Sequence, residues 1–285
     1  MIFHPFSSPV SDGTLRVEFL DVGQGDSALV TFPNGETMLI DGGGRITYSD
    51  DEDGTTFEPD VPRIGEMVVS EFLWEKGLSR VDRLVVTHAD ADHAQGLADV
   101  VRNFDVGEIL LGALPKGGSE LDELLTEAKR RSVPVKQIGR GDNFEIDGTI
   151  VQTLWPARSE EQAGSDNNAS LVLRLVFGDT EFLFTGDIEK ETEAALVGSG
   201  TALSADVVKV PHHGSRTSST PDFVNAVRPQ IAVIPVGRRS MYSHPHPEVV
   251  QRWHASTQTV LTTGQNGTVT ITTDGRSFKL DTFVK

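Results

Sequence analysis

The sequence predicts an α/β protein, a four-layer αββα sandwich in which two sheets pack face to face and helices cover their outer faces. Three observations lead to this prediction. The first part of the chain is rich in short apolar segments separated by turn residues. Apolar segments then alternate with amphipathic stretches, and each half of the chain closes with helical patterns. There is no fixed-period repeat of the kind that indicates a solenoid.

The individual elements follow from the hydrophobic period and from the turn residues. The predicted strands are Leu15–Leu20, Ala28–Phe32, Thr37–Ile40, Val81–Thr87, Glu108–Leu111, Val133–Gln137, Leu171–Phe177, Glu181–Thr185, Ala205–Val210 and Ile231–Val236. Asn143–Trp155 is predicted as a further strand, separated by a turn from Val133–Gln137, and two or three terminal strands are predicted within Thr259–Leu280. The predicted helices are Ile64–Lys76, Gln95–Asn103, Glu120–Arg131, Glu189–Leu196, Thr220–Val227 and Pro247–His254.

The chain of 285 residues is long enough to bury one large core. We assign residues 1–14 to an N-terminal linker and residues 15–285 to one domain. The acidic segment Tyr48–Asp60 has no periodicity and is predicted to be a solvated loop. No apolar run approaches the roughly 18 residues of a membrane helix, and the N-terminus lacks the pattern of a signal peptide. We therefore expect a soluble monomer, on the cytoplasmic or the extracytoplasmic side.

The composition restricts the chemistry. The chain has no cysteine, so any metal must be held by imidazole, carboxylate or amide groups. Acidic residues outnumber basic ones by 42 to 25, which gives a net charge of -17. Such a surface repels a polyanion, and this argues against a broad groove along duplex DNA. A small site that is locally positive remains compatible with the composition.

The segment Thr87–His93, with the sequence THADADH, carries the sharpest signal. His88, Asp90, Asp92 and His93 lie within six residues, between an apolar strand and a helix. The alternate residues His88, Asp90 and Asp92 can share one face of an extended chain, while His93 turns with the start of the helix. Imidazole and carboxylate ligands without sulfur suit zinc, manganese or iron. A helix cap explains one of the aspartates, but not two aspartates between two histidines.

Six of the eight histidines fall into three close pairs, each directly after a predicted strand. The second pair is His212 and His213, and the third is His244 and His246. Active sites of layered α/β folds lie on loops at such sheet edges. In the turn before the second strand, Gln24 and Asp26 either line the same edge or hold the turn.

The THADADH segment resembles the second motif of the metallo-β-lactamase superfamily, His-x-His-x-Asp-His, with Asp90 at the place of the second histidine. The other motifs follow in order. They are LIDGG with Asp41, FTGD with Asp187, and VPHHGS. The third motif usually supplies a histidine, and the corresponding stretch here, Asp166–Ser170, has none. The resemblance implies the αββα fold named above.

The set LDVGQGDS, LIDGGG, THADADH, NNASLVL, TGD, VPHHGS and SHPHPEVV is similar, more specifically, to the hydrolase domain of ComEC-type competence proteins. This similarity runs from about Leu15 to Arg252. It implies DNA as the substrate. The donor set suits two divalent metal ions, zinc or manganese, and the acidic surface predicts that single strands are cut better than duplex. Proteins of this family carry membrane segments before the domain, and this chain shows none.

The resemblance also implies the ligands. In a two-metal arrangement, His88 and Asp90 hold the first ion, Asp92 and His93 hold the second, and Asp187 bridges them. One histidine of the second pair completes the ligand set of the second ion. We choose His213, because a serine follows it two residues later, and the choice between His212 and His213 stays open.

The remaining candidate residues have catalytic or substrate-binding roles. Asp92 is counted with the catalytic residues, Asp41 is expected to orient a metal-bound histidine, and His212 to contact the phosphate or protonate the leaving group. The candidate substrate-binding residues are Asn168, Arg216, Arg238, Arg239, His244 and His246. Asn168 is alternatively a weak replacement for the missing histidine, and the arginines are alternatively ordinary surface residues.

These residues predict a metal-dependent hydrolase of phosphodiesters, preferably a DNA nuclease that uses a water activated by two metals. The aspartate at position 90 hardens the site toward manganese. One alternative is a small-molecule hydrolase that acts on a lactone, an ester or a phosphocholine-type diester, which the net charge suits. The other alternative is a non-catalytic module with a degenerate site.

Overall fold

The structure is a computed structural model that describes residues 11–44, 63–112, 119–157, 165 and 167–285. Most of the predicted linker and the acidic loop Tyr48–Asp60 lie outside the described residues. The strands are β1 (Leu15–Phe19), β2 (Ala28–Thr31), β3 (Thr37–Ile40), β4 (Arg80–Val86), β5 (Asp105–Leu111), β6 (Val135–Gln137), β7 (Asn143–Ile146), β8 (Thr149–Trp155), β9 (Val172–Phe177), β10 (Thr180–Phe184), β11 (Val207–Lys209), β12 (Ile231–Ile234), β13 (Thr259–Thr262), β14 (Val269–Thr273) and β15 (Phe278–Thr282). The α-helices are α1 (Glu71–Glu75), α2 (Ala91–Asn103), α3 (Ser119–Arg131), α4 (Lys190–Gly198), α5 (Pro221–Val227), α6 (Pro247–Ser256) and α7 (Thr263–Asn266).

The strands form two sheets. One sheet has eight strands in the order β15-β14-β1-β2-β3-β4-β5-β6, and the other has seven in the order β13-β12-β11-β10-β9-β8-β7. The strands next to the site run parallel, β3 with β4 in the first sheet and β10, β11 and β12 in the second. Their carboxyl ends therefore lie at one edge of each sheet, where the loops with the polar residues begin.

The main core lies between the two sheets, and two further apolar clusters lie on their outer faces. Phe19 of β1 stacks on Phe184 of β10 across the interface, with ring centroids 5.7 Å apart. Along β4, Val85 faces this inner core while its neighbour Leu84 packs outward under α2. This alternation is the period-two pattern of a strand covered on both faces. With α4, α5 and α6 covering the second sheet, the αββα sandwich is confirmed.

Some element boundaries differ from the sequence-based prediction. The helix predicted from Gln95 begins four residues earlier, at Ala91, so Asp92 lies in its first turn rather than in an extended segment. Asp90 remains extended, with φ -66° and ψ 146°. The segment predicted to be extended is helical at Asp92, because the loops that contain Gly25 and Gly44 pack against the backbone of this first helical turn.

Two further differences concern the predicted terminal strands and the first predicted helix. Within the predicted terminal strands, the helix Thr263–Asn266 separates β13 in the second sheet from β14 and β15 in the first. The predicted helix Ile64–Lys76 is wound as a π-helix over Gly65–Ser70 before it becomes α1. Its Gly65 lies against Gly96 of α2, where a Cβ atom would lie only 2.3 Å from the carbonyl oxygen of Gly96.

Candidate metal centre

Four side chains from three parts of the chain converge at the shared edge of the two sheets. Asp92 and His93 come from the first turn of α2, Asp187 follows β10, and His213 follows β11. The Oδ2 atom of Asp187 lies 3.3 Å from Nε2 of His93 and 3.2 Å from Nε2 of His213. Oδ2 of Asp92 lies 3.3 Å from Nε2 of His213. We call these four residues the metal centre.

The Nε2 atoms of His93, His213 and His88 are buried and have no hydrogen-bond partner among the residues that the structure describes. Buried polar nitrogens without partners are rare and require an explanation. Three of them beside two carboxylates form the nitrogen and oxygen donor set that zinc and manganese accept. The residues present therefore fit a divalent metal ion.

The opposite ring nitrogens of the two histidines of the centre are already engaged. Nδ1 of His93 lies 2.9 Å from Oδ2 of Asp41, and Nδ1 of His213 lies 2.9 Å from the carbonyl oxygen of Pro235. Asp41 is in turn fixed by Thr87, whose backbone N–H and hydroxyl both donate to its carboxylate at 2.8 and 2.6 Å. Such contacts fix the ring orientation and direct Nε2 toward a metal. The structure thus places Asp41 behind His93, where the resemblance put it.

The charges of the centre are mutually dependent. Burial disfavours the imidazolium of His93 and of His213, but the carboxylates of Asp187 and Asp26 outweigh it and raise both pKa values well above the usual range. Burial likewise opposes the charge of Asp187 and Asp92, and the two imidazoles nevertheless lower the pKa of both carboxyl groups. The carboxylates thus require positive charge beside them, which a divalent cation supplies as well as protons do.

A second, less complete donor group lies next to the metal centre. Nε2 of His88 is 3.5 Å from Oδ2 of Asp90, and the His88 and His93 rings lie 4.1 Å apart. Asp90 stands at the N-cap position of α2, but its side chain accepts no capping hydrogen bond. The capping alternative therefore lacks the contact it requires for Asp90.

Asp26, in the turn before β2, belongs to the same buried group. One carboxylate oxygen each of Asp26 and Asp187 and one ring nitrogen each of His93 and His213 all lie within 4.8 Å of one another. Asp26 approaches the Nδ1 atoms, at 3.6 Å from His93 and 3.3 Å from His213, rather than the open Nε2 side. Asp92, in contrast, approaches the Nε2 atom of His213.

Lys209 is the functional residue that the sequence analysis missed. Its ammonium group is buried, forms an ion pair with Asp26, and donates to Oδ1 of Asp187 at 3.1 Å and to the carbonyl oxygen of Gly186 at 2.6 Å. Burial opposes its charge, yet the two carboxylates raise its pKa. The available signal was a lysine inside the apolar strand β11, directly before the motif VPHHGS.

The two histidines of the VPHHGS motif occupy different positions. His213 is 1% exposed and lies within the metal centre. His212 stands at its rim, with Nε2 at 4.0 Å from Asp187 and Nδ1 at 3.6 Å from Glu189. Both residues adopt a left-handed backbone conformation, with φ of 50° and 52°, and this directs adjacent side chains to different surroundings. Burial lowers the pKa of His212.

The third histidine pair extends the rim. The His244 ring lies 5.7 Å from His212 and 5.2 Å from His246. Burial and the neighbouring charges of His213, His212 and His246 lower the pKa of His244 to about 4. The imidazoles of His212 and His244, whose pKa values are lowered, are thus neutral near pH 7. The pKa values of the two imidazoles of the metal centre are raised instead.

The other predicted substrate residues lie in diverse surroundings. Arg216 pairs with Glu248 at 2.7 Å on the surface, and Arg238 donates to the carbonyl oxygen of Gly264 at 2.5 Å. Arg239 lines a cleft beside Asp92.

Asn168 holds the loop before α4. Its Oδ1 accepts the backbone N–H of Glu189 at 3.0 Å, and its Nδ2 donates to Glu191 at 3.3 Å. Contact with a substrate or metal would use the second hydrogen of Nδ2 or the second lone pair of Oδ1, or replace one of these bonds. Asp166 lies outside the described residues.

Comparison with known proteins shows that this chain is similar to parts of longer curated proteins. The chain is 34% identical over 273 residues to ComE operon protein 3 of Bacillus subtilis, covering 94% of this chain and 34% of that protein. It is 32% identical over 266 residues to competence protein ComA of Neisseria gonorrhoeae, covering 93% of this chain and 33% of that protein. The chain therefore spans about a third of the length of these relatives. The resemblance to ComEC-type proteins is confirmed.

Solved structures with the same fold are much less similar in sequence. CmlA, a diiron β-hydroxylase from Streptomyces venezuelae, superposes with a TM-score of 0.51 at 15% identity, over 87% of this chain and 52% of that one. The metallo-β-lactamase fold protein YhfI from Bacillus subtilis gives 0.50 at 7% identity, over 86% and 95% of the two chains. No helix in the described part of the chain is long and apolar enough to cross a membrane. The family model of the metallo-beta-lactamase superfamily matches residues 20–238, and the chain belongs to this superfamily of hydrolases.

Proposed function

We propose that this protein hydrolyses phosphodiesters with divalent metal ions, and that single-stranded DNA is its preferred substrate. The observation that carries the proposal is the convergence of three unpartnered Nε2 atoms with the carboxylates of Asp92 and Asp187. We take residues 15–285 as one monomeric hydrolase domain.

The two donor groups would hold two ions, zinc or manganese, with unequal numbers of ligands. The metal centre would hold one ion with four ligands. His88 and Asp90 would hold a second ion and share Asp187 with the first. Lys209 donates to Oδ1 of Asp187 and thereby holds this carboxylate beside His93 and His213. When bound, such ions lower the pKa of water to near neutrality and neutralise charge on the phosphate.

The charge balance favours an anionic substrate. Two divalent cations carry four positive charges, and Asp90, Asp92 and Asp187 return three negative ones. Lys209 and Asp26 cancel each other behind the centre. The site is thus left near a charge of +1 within an otherwise acidic molecule, which attracts a phosphodiester locally.

The rim residues hold and protonate the substrate in this proposal. His212 lies within reach of a group bound at Asp187, and Glu189 beside its Nδ1 orients the ring. Nε2 of His212 can contact the phosphate, and in the protonated form of the ring it can pass a proton to the leaving oxygen. Arg239 and His244 supply further donors to the phosphate, with Arg216, Arg238, His246 and Asn168 as more distant candidates.

DNA is preferred because the relatives named above are competence proteins. The second candidate is a small diester or lactone, which the net charge of -17 favours because a small substrate does not extend over the acidic surface. The buried, unpartnered nitrogens argue against a degenerate, non-catalytic site, since leaving them unpaired has an energetic cost that binding a metal removes.

A substrate panel tests the proposal. The protein, depleted of metal and then supplied with manganese or zinc, is assayed on a single-stranded oligonucleotide, its duplex, bis-p-nitrophenyl phosphate and a lactone. We expect both diester classes to be cleaved, with the single strand cleaved faster than the duplex. Brisk hydrolysis of the lactone or the small diester without DNA cleavage would transfer the assignment to the second candidate.

A further inference from the structure

A cleft of about 350 Å³ opens directly beside the metal centre and shares Asp92 with it. Its volume falls in the range of roughly 300–1,000 Å³ typical of ligand sites. Its apolar lining comes from Val22, Ile64, Met241 and Tyr242. The cleft is therefore continuous with the place where the reacting group would bind.

The wall formed by Met241 and Tyr242 is unusually exposed for such residues. Met241 is 74% exposed and Tyr242 is 38% exposed. The Tyr242 ring lies 5.8 Å from His244, so it is supported from behind by a residue of the rim. An exposed aromatic ring in a wet cleft is a stacking surface for a planar ligand.

The polar groups of the cleft suit the same ligand. Arg239 makes no hydrogen bond or ion pair with any residue within the described ranges, although it lines the cleft. The side-chain oxygen of Gln24 is buried and has no partner among those residues either. Because this oxygen is buried, a donor such as the exocyclic amino group of a base would pair with it once the Gln24 side chain turns into the cleft.

We propose that this cleft is a nucleobase subsite, which takes the base of the nucleotide whose phosphate lies at the metal centre. This deepens the proposed function and rests on it. Tyr242 and Met241 stack on the base, Arg239 contacts a phosphate oxygen, and Asp92 marks the border with the metals. An unpaired base enters such a cleft without leaving a stack, which accounts for a preference for single strands.

The test uses product-like ligands, so that it is independent of cleavage. Binding of deoxyadenosine 5′-monophosphate and of 2-deoxyribose 5-phosphate to the manganese-loaded protein is measured by calorimetry. The two ligands share the phosphate and the sugar and differ only in the base. Since stacking on an aromatic side chain is worth about 1–3 kcal/mol per base, the nucleotide should bind at least about five-fold more tightly to the wild type.

Tyr242→Ala should abolish this difference while leaving the affinity for 2-deoxyribose 5-phosphate unchanged. Tyr242→Phe should retain the difference. Phe283→Ala, which removes an aromatic residue that is 85% exposed outside the cleft, is the matched control and should behave as wild type. Thermal unfolding of each variant verifies that the fold is intact.

Equal binding of the two ligands by the wild type would overturn the subsite, and so would an equal loss of both in Tyr242→Ala. The cleavage assay on oligonucleotides is read separately. Preferential nucleotide binding without DNA cleavage would support the subsite and contradict the nuclease. DNA cleavage without any contribution of the base to binding would support the nuclease and contradict the subsite.

Discussion

At the scale of single residues, Lys209 and Asp26 form a buried ion pair directly behind His93 and His213. Removing one partner of such a pair leaves an uncompensated buried charge. Lys209 also fixes Oδ1 of Asp187, so it positions a carboxylate of the metal centre without facing the metal itself.

Lys209→Met should lower the free energy of unfolding of the metal-free protein by about 3 kcal/mol, because Asp26 and Asp187 lose their buried counter-charge. Urea denaturation in the presence of a chelator measures this change. Adding Asp26→Asn to the variant should recover part of the loss, since it removes one of the unpaired carboxylates. A loss below about 1 kcal/mol would contradict the role given to the lysine.

Asp90 should make one metal position weaker than the other. In the proposed arrangement the metal centre offers four ligands, whereas His88 and the half-exposed Asp90 form the other group. Titration of metal into the metal-free protein should therefore show two affinities, and Asp90→His should tighten the weaker one alone. Two equal, tight steps in the wild type would count against this arrangement.

The residues of the site differ in how well a sequence reveals them. His88, Asp92 and His93 are close in sequence, and their spacing alone indicated a metal site. Lys209 and Asp26 meet only because β11 and the turn before β2 belong to different sheets that face each other at one edge. A pairing across the sandwich leaves no local pattern, and for that reason sequence analysis did not find it.

At the scale of elements, the start of α2 is held by close backbone contacts. A Cβ atom on Gly96 would lie 2.0 Å from the carbonyl oxygen of Gly42, and one on Gly44 would lie 1.9 Å from that of Ala91. The glycine-rich turn after β3 thus packs directly on the helix that carries Asp92 and His93. The sequence showed the glycines, but not the helix turn against which they pack.

Gly96→Ala should displace α2 and with it the ligands, because neither backbone can yield without moving the other. We expect a loss of stability of more than 1 kcal/mol and weaker metal binding. Gly198→Ala is the matched control, since a Cβ there meets nothing within 4 Å, and it should be neutral or slightly stabilising. Equal effects of the two substitutions on metal affinity would contradict this packing argument.

At the scale of the whole molecule, the sandwich was predictable because apolar strands and amphipathic helices alternate in the sequence. The placement of the last strands was not predictable. β13 extends one sheet while β14 and β15 pair with β1 in the other, and this depends on pairings between residues far apart in the chain.

The net charge of -17 should limit contact with DNA to a few nucleotides. For single strands, the slope of log affinity against log salt is about -0.7 per phosphate neutralised, so we expect a slope of about -0.7 to -2. Arg239→Ala should reduce it by about 0.7, whereas Arg276→Ala, in the turn between β14 and β15, should not. A slope steeper than about -4 would require a basic groove.

The central claim is that the metal centre binds the ion on which hydrolysis depends. It is tested most directly by measuring bound metal and the cleavage rate of a single-stranded oligonucleotide together, for the wild type and for Asp187→Asn, after chelation and stepwise return of manganese or zinc. We predict that wild-type activity vanishes with the chelator and returns in proportion to bound metal. Asp187→Asn should remain folded, bind less metal and stay inactive at every concentration. Cleavage that persists without metal, or a variant that binds two ions and keeps near wild-type activity, would contradict the claim.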